Sequence, residues 1–165
     1  MQLLKAVRTT ILGILFLVMG NESLYAQKTT EVQWLTFEQL EDSLKVQPKK
    51  VFVDFVADWC TYCRKMDRVV FTDTQVINLL ATKYYAVRMN IESRDTIEFG
   101  GTRFVNPNAR KVNPVHQIAL LMASREGKPF SLPTMVLLDE TFTAQARYFQ
   151  YLNPTQLVEA LKKSY

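Results

Sequence analysis

The period of polar and apolar positions changes several times along the chain, and each change marks an element. Thr36 precedes Phe37, Leu40 and Leu44 at helical spacing, with Gln39 in the reciprocal capping position, so a capped amphipathic helix is predicted that ends before Pro48. Val51-Phe52-Val53-Asp54-Phe55-Val56 is instead a near-continuous run of β-branched and aromatic residues, the pattern of a central strand covered on both faces. Helical spacing returns with Met66, Val69, Val70 and Phe71, and again over Thr74–Lys83, where Val76, Ile77, Leu79 and Leu80 follow a cap at Asp73 or Thr74. Tyr84 to Ile91 then alternates as a strand does.

From Glu92 to Phe130 the chain is longer than one crossover helix requires, which marks an insertion. Within it, Phe99-Gly100-Gly101-Thr102-Arg103-Phe104 reads as a hairpin around a diglycine turn, and a helix is expected after Pro114 that runs through His116 and Met122 to Gly127. The hairpin is either a flap that selects partners or a cover for a sheet edge. Met135–Leu138 and Thr143–Phe149 form an antiparallel pair joined at Asp139-Glu140, and Asn153-Pro154 starts a last helix carrying Leu157, Val158, Ala160 and Leu161. Strands alternating with helices predict an α/β domain with a crossover-connected, largely parallel sheet.

The N-terminal pattern differs. Lys5 and Arg8 precede an apolar run from Ile11 to Met19, followed by polar Asn21, Glu22 and Ser23 and then Ala26, the order of a secretory signal peptide. That run is about half the length a membrane-spanning helix needs. Residues 1–26 are therefore read as a signal peptide and 27–165 as one exported domain, periplasmic or otherwise outside the cytoplasm, with no stable membrane insertion after cleavage. Cleavage removes Lys5, Arg8 and Glu22, which lowers the formal charge from +4 to +3. So mild a balance, spread over separate basic pairs, argues against nucleic acid as a partner.

Candidate chemistry centres on Cys60 and Cys63, the chain's two cysteines, placed where strand hands over to helix in "FVADWCTYCR". A structural staple would close almost no loop at this spacing, although constraining a loop is the main source of a disulfide's stabilisation. A zinc site wants four ligands, and the chain has no second cysteine pair and one histidine, His116, whose ordinary role in an apolar helical segment is packing or capping. A redox pair explains the placement. Unpaired N–H groups and the dipole at a helix N-terminus favour the Cys60 thiolate, and Cys63, one turn on and expected to be more enclosed, can resolve a mixed disulfide. No metal or other cofactor is expected beyond the redox-active pair.

The sequence resembles the thioredoxin family. In "VDFVADWCTYC", Asp54, Trp59, Cys60 and Cys63 fall on the positions of that family's buried acid, tryptophan and redox cysteines; Arg88 in "VRMNIE" stands at its lysine beside the acid; "SLPTMVLLD" is similar to its cis-proline segment. The resemblance implies a thioredoxin-like fold, a central mixed sheet flanked by helices, here with a hairpin and helix insertion before the cis-proline strand. "ADWCTYCRKM" and "HQIALLMASREGKPFSLPTMVLLD" are similar to exported members, among them the C-terminal domain of the thiol:disulfide interchange reductase and stand-alone periplasmic proteins. Thr61-Tyr62 replaces the Gly-Pro of ordinary thioredoxin, and Val56 stands where a second tryptophan is frequent.

On this reading Cys60 is the nucleophile, Cys63 the resolving thiol and Asp54 the acceptor of the Cys63 proton, while Leu132 and cis-Pro133 present backbone to an extended substrate. Asp54 is either that acceptor or a carboxylate turned to an edge or paired with Arg88 for structure alone, with Arg88 as its modulator; Pro133 is either cis or an ordinary trans proline starting a strand. Trp59 either shapes the rim beside Cys60 or packs; Tyr62 either tunes the thiolate or is a surface aromatic. The expected partners are protein disulfides and a membrane thiol protein that donates electrons. An oxidant would carry the same cysteines at another potential. A thiol peroxidase finds no motif, and the alternative outside catalysis is an adaptor that holds extended chains in the Leu132-Pro133 groove.

Overall fold

The computed structural model describes residues 30–163. The expected signal peptide lies outside them. Seven strands and five helices follow in the order β1 (Trp34–Leu35), α1 (Phe37–Val46), β2 (Lys50–Val56), α2 (Thr61–Val69), α3 (Thr74–Lys83), β3 (Tyr84–Asn90), β4 (Ile97–Phe99), β5 (Thr102–Phe104), α4 (Gln117–Ala123), β6 (Thr134–Leu138), β7 (Ala144–Tyr148) and α5 (Pro154–Lys163). Five strands form one sheet in the order β1-β3-β2-β6-β7, and β4 pairs with β5 in a separate hairpin. The β1–β3 and β2–β3 pairings are parallel, whereas β6 runs antiparallel to both β2 and β7. The sheet is therefore evenly mixed rather than largely parallel.

Capping chemistry sets the helix starts. The Thr36 hydroxyl accepts from Gln39 N–H while Gln39 Oε1 accepts from Thr36 N–H, the reciprocal box expected from sequence. Asp73 caps α3 through bonds from Gln75 and Val76 N–H, and Asn153 caps α5 by accepting from Gln156 N–H, with Pro154 at the first helical position. His116 is itself a cap: its Nδ1 accepts from Ile118 N–H, so α4 starts at Gln117. α4 stops at Ala123 rather than Gly127, because residues 125–128 turn back in an Arg125–Lys128 bridge with Gly127 at φ 65°.

Two apolar layers flank the sheet. Residues 51–55 of β2 are all buried, as its unbroken apolar run requires. Phe52 and its neighbours meet α2, α3 and α5 through Met66, Leu80, Leu157 and Leu161. Val51, Val53 and Phe55 meet α1, α4 and the insertion through Phe37, Leu40, Ile97 and Ile118. Truncating one such buried leucine costs about 2–5 kcal/mol, so both layers are needed to hold the end of β2 where the cysteines emerge.

The hairpin turns through Gly100 and Gly101 at φ 60° and 71°, which glycine adopts without a Cβ penalty. It pairs with neither edge strand of the five-stranded sheet. The Phe99 ring meets Phe37 edge-on and Phe142 at a tilt, with centroids 5.3 and 5.2 Å apart, and Gly100 N–H donates to Glu41, so the hairpin roofs α1. An aromatic on each hairpin strand finds its best burial there, since the sheet's edges are the short β1 and the half-exposed β7.

Candidate active site

Cys60 is the N-cap of α2, its Sγ accepting a hydrogen bond from Cys63 N–H at 3.1 Å. The two sulfurs form a disulfide with their Cα atoms 5.3 Å apart. Both residues are 4% exposed. In this oxidised form Cys60 is thus as enclosed as Cys63, a departure from the expected gradient that follows from capping: the Cys60 side chain folds back over the first turn instead of facing outward. The open N-terminal turn of α2 favours negative charge at that sulfur once the pair is reduced.

Asp54 is buried beneath α2. Its Oδ2 accepts from Arg88 Nε at 3.0 Å and lies 2.8 Å from Arg88 Nη2. Burial pushes the Asp54 carboxyl up, Arg88 pulls it down, and burial prevails at about 7. Register explains the meeting, since Asp54 lies directly beside Arg88 across the parallel β2–β3 pair. The guanidinium also sits 3.9 Å from the ring centroid of Trp34 and 5.0 Å from that of Phe71. Its Nη2 reaches Asp67 Oδ1 at 2.6 Å, an ion pair without an aligned hydrogen bond. Asp67 follows Cys63 by four residues, so on α2 it shares a side with that thiol.

Trp59 and Tyr62 flank the pair and are 54% and 58% exposed. Trp59 Nε1 donates to Glu92 Oε1 at 2.8 Å, which fixes the indole at the rim. Tyr62 faces Tyr151 at 6.1 Å between ring centroids. Across the site the Leu132–Pro133 peptide is cis. Thr134 pairs with Phe55, which brings Pro133 beside the end of β2 that leads to Cys60. No loop or cap backbone hydrogen bond among the described residues uses Leu132.

The structure therefore gathers Cys60, Cys63, Asp54, Arg88, Trp59, Tyr62, Leu132 and Pro133 at one end of the sheet. Asp67, Glu92, Trp34 and Tyr151 join them without having been singled out from sequence. Asp67 was discoverable from its four-residue spacing to Cys63, but the other three meet the site only through loops and strand register. Among the described residues no cluster of three or more metal-ligating side chains occurs, and no helix is long and apolar enough to cross a membrane.

A CxxC disulfide capping the helix after β2, facing a cis-proline that opens the neighbouring strand, defines the class of thiol:disulfide oxidoreductases built on the thioredoxin fold. The chain belongs to the thioredoxin-like family, whose model matches residues 33–118, just over half of its length. It is 39% identical over 59 residues to the thiol:disulfide interchange protein DsbD of Pseudoalteromonas atlantica, covering 36% of this chain and 10% of that protein. With DsbD of Haemophilus ducreyi it shares 47% identity over 45 residues, 27% of this chain and 8% of the relative. The aligned segments thus span about a tenth of these curated relatives.

Solved structures agree on the fold. A DsbH oxidoreductase matches with TM-score 0.55 and 17% identity over 88% of this chain and 94% of that one. A thioredoxin from Thermus thermophilus gives TM-score 0.58 and 16% identity over 81% and 87%. The oxidised C-terminal domain of DsbD from Neisseria meningitidis gives 0.51 and 16% over 76% and 90%.

Proposed function

We propose that this protein is an exported thiol:disulfide oxidoreductase that reduces disulfides in protein substrates. The observation that carries the reading is Cys60, a helix-capping cysteine bonded to Cys63 on the helix whose Asp67 shares Arg88 with the buried Asp54. In the reduced protein the Cys60 thiolate attacks one sulfur of a substrate disulfide, forming a mixed disulfide and expelling the other sulfur as thiolate. Cys63 gives its proton to Asp54 and attacks Cys60 Sγ; the Cys60–Cys63 bond re-forms and the substrate leaves as a dithiol, reduced by two electrons. An Asp54 carboxyl that titrates near neutrality suits that transfer, and Arg88 sets how readily it charges.

Leu132 and cis-Pro133 present unpaired backbone to an extended substrate, in the manner of an added strand, while Trp59 forms the rim and Tyr62 borders the nucleophile. A membrane thiol protein returns the two electrons to the pair. Similarity to DsbD, named a thiol:disulfide interchange protein, supports exchange with protein thiols, and the signal-peptide pattern of residues 1–26 supports an exported location. No cofactor besides the cysteine pair enters the cycle.

The test is the equilibrium of the Cys60–Cys63 pair in glutathione buffers of known ratio. A potential near the roughly −270 mV of thioredoxin supports a reductant; one near roughly −120 mV makes the protein a disulfide donor instead. Absence of reversible exchange sinks the redox reading and leaves the adaptor.

A further inference from the structure

Charge is divided across the rim of the disulfide. On the Trp59 side each carboxylate is engaged: Asp58 Oδ1 accepts from Asn90 Nδ2 at 3.1 Å, and Glu92 Oε1 accepts from the Trp59 indole at 2.8 Å. Arg64 turns toward the same side, donating to the Asp58 carbonyl and to Thr61 Oγ1. The one carboxylate of α2, Asp67, pairs inward with Arg88.

The Tyr62 side is different. Tyr62, Lys65 and Arg68 follow one another at three-residue steps, so they line one exposed strip of α2 that begins beside the cysteines. Lys65 Nζ lies 4.6 Å from the ring centroid of Tyr151, which also faces Tyr62. Among the described residues neither Lys65 nor Arg68 has an ion-pair partner. The result is an aromatic pair with Lys65 resting on Tyr151 and Arg68 one turn further along the same exposed strip of α2, neither cation in an ion pair among the described residues. A cation resting on a ring face keeps its ammonium donors available to a carboxylate.

We infer that Tyr62, Tyr151, Lys65 and Arg68 form a recognition surface for an acidic stretch flanking the disulfide of the substrate protein. This rests on the exchange activity proposed above and names the substrate class it favours. An extended chain held at Leu132-Pro133 with its sulfur on Cys60 has one flank leaving over Trp59 and the other over Tyr62. Aspartate or glutamate on the second flank meets the two cations, whereas lysine or arginine there meets like charge. Rim charges of this kind act mainly on the rate of productive encounter and are screened by salt.

Two disulfide-bonded peptides, identical except that one carries aspartates and the other lysines beside the cysteine, are each mixed with pre-reduced full-length protein, and second-order rate constants are measured at low and high salt. The acidic peptide is expected to react roughly tenfold faster at low salt, with the ratio shrinking in high salt. In the Lys65→Glu, Arg68→Glu double variant the ratio falls to about one or inverts. Because the ratio is taken within each variant, the fraction of folded protein does not affect it.

Equal rates for both peptides, or a ratio that survives the double substitution, overturn the inference and leave the exchange activity standing. Equal rates together with tight, salt-sensitive binding to phosphatidylglycerol vesicles would instead make the strip a membrane-facing one. Failure of both peptides to react at all removes the proposed function and this inference with it.

Discussion

Asp54 and His116 are both buried polar groups, one on each side of the sheet, and their partners give them opposite characters. Asp54 faces the α2 layer, where its partner is a charged guanidinium that is itself shared with Asp67. His116 lies in the α4 layer, where both ring nitrogens are used by backbone: Nδ1 accepts from Ile118 N–H and Nε2 lies 3.2 Å from the Asp95 carbonyl. Burial raises the Asp54 carboxyl to about 7 and lowers His116, so in each case the neutral form is favoured. In the cycle proposed above only Asp54 has a use for a proton. A histidine whose two nitrogens are committed to backbone holds the insertion in place, and that is a structural task.

Four substitutions test this contrast. The largest effect is expected for Cys60→Ser, which removes the attacking sulfur and lowers disulfide exchange by roughly a thousandfold or more. Retained exchange would move the chemistry elsewhere. Asp54→Asn comes next, slowing resolution of the mixed disulfide at pH 7 by about a hundredfold, measured as accumulation of the trapped intermediate.

The same Asp54 variant changes stability with a definite sign. A carboxyl raised from 3.8 to about 7 on folding stabilises the native state below pH 4 and loses that contribution as pH rises to 7, up to about 4 kcal/mol in all. Wild type should therefore lose stability over that window in urea titrations, and Asp54→Asn should flatten the loss. His116 has the opposite slope. Lowered on folding, it contributes stability above about pH 6.5 that is lost as the pH falls below it.

His116→Ala is expected to cost about 2 kcal/mol or more, from a lost cap and an emptied buried site, while the exchange rate per folded molecule changes less than about twofold. A large rate loss in fully folded His116→Ala would erase the distinction between the two layers. The smallest effect is predicted for Glu92→Gln, which weakens the acceptor for Trp59: stability shifts by at most about 0.5 kcal/mol, and the change is read as altered Trp59 quenching.

Most elements were legible because local rules and tertiary packing agree. The Thr36 capping box, the unbroken run of β2, the diglycine hairpin and the Asn153-Pro154 start each state their structure within a few residues, and each is found. β1 was missed, since two residues, Trp34 and Leu35, show no periodicity and become a strand only by pairing with Ala86 and Val87. The end of α4 was misplaced because helical spacing continues past Ala123 while the 125–128 turn diverts the chain.

By itself the sequence determined the α/β class and the CxxC pair at a strand-to-helix junction, because periodicity, capping and short motifs are local, and its resemblance to the thioredoxin family supplied the candidacy of Asp54, Arg88 and Pro133. Tertiary structure alone decided that Cys60 is as buried as Cys63 in the disulfide, that Arg88 divides its charge between Asp54 and Asp67, and that Tyr151 and Lys65 stand beside Tyr62. Those facts depend on which elements the sheet brings side by side. Burial then sets the charge of Asp54 through desolvation, a property of the whole fold around it.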